Sequence, residues 1–166
     1  MNKYYSGIGS RSCPDSLRPL INKIAIRLEE LGYILRSGGA KGADTFFEEK
    51  VVRKEIYLPK IDYSKPKLVQ MNWYEPTIEA FVLAKEIHPN WSACNEYARQ
   101  CHARNCHQVL GQHLESPSDF VVCYTVDGKA SGGSATAINL ALKNEIPVFN
   151  LFDAASALKG IADFLK

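Results

Sequence analysis

A chain of 166 residues, 46% hydrophobic and 23% charged, is long enough to bury a core without disulfides or metal, so one domain over 1–166 is expected. Its 20 basic and 18 acidic side chains leave +2, too balanced to imply nucleic-acid binding from charge alone. No apolar run is long enough to cross a bilayer, no apolar leader is read at the start, and Cys13, Cys94, Cys101, Cys106 and Cys123 form no paired framework. Free thiols and a cytoplasmic location are the expectation.

Strand and helix signals alternate along the chain. A short apolar strand over 3–8 runs into Gly7-Ile8-Gly9-Ser10-Arg11. A helix over 14–31 follows, with Leu17, Leu20, Ile21, Ile24, Ala25 and Leu28 at helical spacing until Gly32 stops it. A second strand over 33–35 meets Ser37-Gly38-Gly39-Ala40-Lys41-Gly42, and a helix is expected over 43–54. A third strand covers 56–58, and 60–74, with its prolines and lysines, reads as irregular. Helices over 77–87 and 93–113 precede 119–125, the most strand-like segment. Ser131-Gly132-Gly133-Ser134 opens a helix to 143, and a strand over 147–151 and a helix over 154–165 close the chain.

Strands joined by helices imply an α/β, Rossmann-like parallel sheet of about five strands, with right-handed crossovers and helices on both faces. In such sheets ligands sit beyond the carboxyl ends of the strands, where the topology reverses.

Three glycine clusters fall between a strand and the next helix, where the backbone can approach a phosphate and the helix start offers free N–H groups. Gly7, Gly9, Ser10 and Arg11 form the first, with a hydroxyl and a guanidinium. Arg36, Ser37, Gly38, Gly39 and Lys41 surround the second, followed by Asp44, which could hold a ribose or equally cap its helix. Gly132, Gly133, Ser134 and Thr136 form the third. Arg104, Asn105 and Gln108 share a helix face and read as a polar wall over a ligand or as a solvated surface.

Glu48 and Glu49 are the carboxylates near a glycine cluster and the candidates for an acid/base role. Trp73, Tyr74 and Trp91 could stack on a base or pack in the core. His102, Cys106 and His113 lie within roughly 40° on a helix, but His102 and His113 are ~16 Å apart in rise, so no metal site and no cofactor is expected.

Gly7-Ile8-Gly9-Ser10-Arg11, followed one helix later by the segment from Leu35 to Asp44, resembles the SLOG superfamily. That group holds the Rossmann-like core of the DNA-processing proteins DprA/Smf and the LOG nucleotide phosphoribohydrolases. Gly132-Gly133-Ser134-Ala135-Thr136-Ala137-Ile138 and Ile146-Pro147-Val148-Phe149-Asn150 are similar to its second glycine motif and final strand. Small stand-alone DprA-like proteins of phage genomes share this look.

The resemblance implies an AMP-, ADP-ribose- or cyclic-nucleotide-like ligand, its phosphate on the first and third loops and its ribose near Asp44. It also implies a homo-oligomer. The LOG motif Pro-Gly-Gly-x-Gly-Thr-x-x-Glu meets Ser131, Ala135 and, at the catalytic glutamate, Asn139. An amide cannot serve as the general base, so binding is favoured over turnover. The alternatives are an N-glycosidase with a displaced carboxylate and a DprA-like binder of single-stranded DNA, the latter less favoured.

Overall fold

The computed structural model describes residues 1–166. Six parallel strands form one sheet: β1 (Lys3–Gly9), β2 (Tyr33–Ser37), β3 (Lys54–Tyr57), β4 (Trp73–Tyr74), β5 (Phe120–Tyr124) and β6 (Val148–Asn150). Their spatial order is β4-β3-β2-β1-β5-β6. The chain therefore moves outward from β1 to β4, then returns to lay β5 on the other side of β1. That reversal opens a crevice at the carboxyl ends of β1 and β5, where Gly9 pairs with Tyr124.

Alternation along the central strands divides the core. Tyr5 of β1 with Phe120 and Val122 of β5 pack on one face, under α1 (Arg18–Glu30), α2 (Ala43–Glu48) and α6 (Ala154–Phe164). Ile8, Val121 and Cys123 pack on the other, under α3 (Ile78–Ile87), α4 (Glu96–Leu110) and α5 (Ala135–Lys143). On α1 the buried residues are Ile21, Ile24, Ala25 and Leu28, the spacing of one helical stripe.

Two expectations change. The helix expected over 43–54 ends at Glu48, and β3 begins at Lys54. The irregular stretch over 60–74 ends in a sixth strand, Ile56 pairing with Trp73 and Tyr57 with Tyr74. Two residues are too few to show a period, so β4 exists through its pairing and not through its own pattern.

Helix α4 is buried continuously from Ala103 to Leu110, including Arg104, Asn105, His107 and Gln108. A helix enclosed this way must satisfy its polar side chains inside the protein. Arg104 and Asn105 do so at the crevice, and His107 does so behind it, its Nε2 accepting from Thr77 N–H at 3.1 Å and its Nδ1 lying 3.0 Å from Gly111 O.

Candidate functional site

The crevice is a cleft of about 590 Å³. Its floor comes from the end of β1 and its rims from the loops after β2 and β5. The face of α4 carrying Tyr97, Cys101, Arg104 and Gln108 forms its wall. Gly9, Ser10, Arg11, Asp44, Asn105, Gly132, Gly133 and Ser134 also line it, so the first and third glycine clusters meet across one space.

The loops are strapped together by backbone. Ser10 N–H donates to Tyr124 O at 2.9 Å, and Ala43 N–H to Ser10 O at 3.2 Å. Gly42 has φ +78°, and a Cβ there would lie 2.5 Å from Ser10 O and 2.6 Å from Arg11 O. Only glycine lets the first two loops approach this closely.

Asp44, buried at the start of α2, joins the same loops. Its Oδ1 accepts from Gly9 N–H at 3.2 Å and its Oδ2 from Ala40 N–H at 3.3 Å. Burial pushes its carboxyl up to about 6, against the opposing pull of Arg104 and of the Ala40, Gly9 and Gly38 N–H groups. With both oxygens engaged by backbone, Asp44 acts as the clasp of the loops.

From the wall, two adjacent side chains of α4 hold opposite rims. Arg104 Nη1 donates to Gly38 O and, at 3.1 Å, to Tyr57 O. Its Nε donates to Asn105 Oδ1 at 2.9 Å, and Asn105 Nδ2 donates to Gly133 O at 2.7 Å. The guanidinium and amide thus set the spacing of the second and third loops.

Groups left free point to chemistry. Gly9 and Ser10 spend their N–H groups on Asp44 and Tyr124. The N–H groups of Gly132 and Gly133, just before α5, donate to nothing in the protein. Arg11 is exposed and forms no ion pair. Two unpaired N–H groups at a helix start, sharing a cleft with a free guanidinium, can accept an anion.

Several residues singled out in the sequence stand elsewhere. Arg36, inside β2, is buried: its Nε pairs with Glu55 Oε2 at 2.9 Å, and its guanidinium lies 3.7 Å over the Tyr4 ring. Ser37 donates to Gly7 O at 2.7 Å, while Gly7 faces Phe47 and Leu35. Thr136 is buried with Oγ1 2.8 Å from His102 Nδ1. Gly38, Gly39 and Lys41 lie on the second loop outside the cleft lining.

The carboxylate candidates are also displaced. Glu48 accepts from Gly39 N–H at 2.8 Å, and Glu49 from Arg18 Nη2 at 2.5 Å and Asn22 at 2.8 Å. The Arg18 hydrogen bond draws Glu49 down to about 2. Asn139 is exposed on α5 and does not line the cleft. Trp73 and Tyr74 pair in β4, and Trp91 packs beside His88 and Arg99.

Tyr97, Cys101, His102 and Asp127 also line the cleft, none of them read in the sequence as a ligand contact. Residues 97, 101, 104 and 108 recur at intervals of a helical turn, so the stripe was readable once Arg104 was placed on it.

Glu48 makes a pH test available. Burial, then the neighbouring Asp44 charge, raises its carboxyl to about 7 from an ordinary 4.5. The folded state therefore holds this proton more tightly than the unfolded state, and stability falls as pH rises from about 4.5 through 7. Glu48→Gln, which keeps an acceptor for Gly39, is expected to raise the Tm above pH 7. The gap to wild type should close toward pH 4.5; a constant gap in scanning calorimetry would remove the carboxyl's role.

These features define a Rossmann-like α/β protein with a glycine-rimmed cleft at its topological switch point. No protein-family model and no curated protein matches the chain. Among solved structures it is similar to the DNA-processing protein A of Helicobacter pylori, described for its single-stranded DNA binding mode. The TM-score is 0.57 at 20% identity, over 89% of this chain and 64% of that one. The fold is DprA-like, and the chain spans less than two thirds of that neighbour.

Proposed function

We propose that the cleft binds the phosphate of a nucleotide unit and that single-stranded DNA presents it. The observation that carries this reading is the pair of unpaired N–H groups on Gly132 and Gly133 in one cleft with unpaired Arg11. Exposed Lys41 and Lys129 stand on the second and third loops, adding charge where a backbone would track. Tyr97, 54% exposed on the wall, offers a ring for a base. The DprA-like fold supports the polymer over the free ligand favoured by sequence alone, and membership of the SLOG superfamily accounts for both the fold and the loops.

A free AMP- or ADP-ribose-like nucleotide is the second reading. One observation favours it: a cleft of about 590 Å³ is the size of a small-molecule site.

Fluorescence anisotropy with a labelled oligothymidylate tests the proposal. Affinity should fall steeply with salt, and Arg11→Ala should weaken binding by roughly 1.5–3 kcal/mol, about 10- to 150-fold. The same variant should lower the salt slope by about one. Competition by AMP at low concentration would favour the second reading. Salt-insensitive binding that Arg11→Ala leaves unchanged would overturn the DNA reading.

A further inference from the structure

We propose that His88, Cys94 and His102 form a zinc site at the edge of the cleft, whose lining His102 joins. One donor atom from each lies within 4.8 Å of the others. Cys94 Sγ is 3.9 Å from both ring nitrogens of His88, and the His88 and His102 rings stand 4.3 Å apart. The three come from different places: His88 caps the C-terminus of α3, Cys94 follows the Trp91–Ala93 turn, and His102 lies on α4. Only the packing of α3 against α4 brings them together.

The donor set is specific in kind. Two imidazoles and a thiolate, with no carboxylate, suit a borderline-soft ion and disfavour magnesium or calcium. With zinc about 2.3 Å from sulfur and 2.0–2.1 Å from nitrogen, tetrahedral donors stand roughly 3.3–3.6 Å apart. The present separations, none above 4.8 Å, exceed that by at most about 1.5 Å, and all three residues are only partly buried, so side-chain rotations close the set.

Second contacts fit the same purpose. His102 Nδ1 lies 2.8 Å from the Oγ1 of buried Thr136, which orients the ring and leaves Nε2 for a metal. His88 Nδ1 already presents a lone pair, accepting from Asn90 N–H at 3.2 Å, and the ion takes that lone pair in its place. Cys94 loses its thiol proton to solvent on binding, and water completes the fourth position. The ion pins the α3–α4 connection to the helix that carries the wall.

The test uses the full chain, stripped with a chelator and titrated with cobalt(II) and then zinc(II). One equivalent of cobalt should produce a thiolate-to-cobalt charge-transfer band in the near ultraviolet, and one equivalent of zinc should bleach it. Zinc should also raise the Tm of the stripped protein. Cys94→Ser should abolish the band, His88→Ala and His102→Ala should each weaken zinc at least tenfold, and Cys101→Ser should retain the band. Far-ultraviolet circular dichroism of each metal-free variant checks folding, and the two histidine variants carry the test if the serine variant fails to fold. Absence of stoichiometric zinc, or a cobalt band that survives Cys94→Ser, would overturn the site.

Discussion

Arg36→Ala is expected to lower folding stability by about 3–5 kcal/mol and to leave oligonucleotide affinity unchanged. Arg36 is 2% exposed, between the Tyr4 ring and Glu55, and its Nη1 also donates to Ser116 O at 2.5 Å. Its removal strands Glu55, which is itself shared with the Tyr57 hydroxyl at 2.7 Å. An uncompensated charge in that setting outweighs the lost packing. Combining Arg36→Met with Glu55→Gln should recover most of the loss, because no unpaired charge remains. Urea denaturation at constant m-value reads both effects. If Arg36→Ala instead kept its midpoint and lost affinity, Arg36 would be the ligand contact that its place beside the second glycine cluster suggests.

Gly133→Val is expected to weaken oligonucleotide binding by at least about 100-fold, some 2.7 kcal/mol, with little change in Tm. A Cβ at Gly133 meets nothing within 4 Å, so the fold accommodates it. Because Gly133 lines the cleft beside its own unpaired N–H, the added methyls are expected to crowd the space where the anion is proposed to sit. Gly39 makes the contrast: a Cβ there would lie 2.6 Å from Leu58 Cδ2 at φ +64°, so the same substitution strains the fold before it touches any ligand. Gly133 is the position where binding and folding separate. Binding retained in Gly133→Val, by anisotropy and thermal shift together, would move the phosphate off the third loop.

Much of the architecture was legible because it is encoded over short distances. The stripe Ile21, Ile24, Ala25 and Leu28 announces α1, and the apolar run around Phe120–Tyr124 announces a central strand, since periodicity and burial act within a few residues. From that alternation followed the parallel sheet and the end of it where a cleft would open.

What each polar side chain does was decided at long range. Arg104 meets Gly38 across 66 residues, and Asn105 meets Gly133 across 28. Arg36 finds Ser116 across 80, which turns an apparent ligand contact into a buried support. Glycine clusters alike in sequence differ in the same way: Asp44 and Tyr124 consume the N–H groups of the first, while those of Gly132 and Gly133 stay free. Local sequence specifies where the backbone turns and which faces are apolar. The partner of a buried polar group depends on which distant segments the sheet brings alongside it, because leaving such a group unpaired is costly.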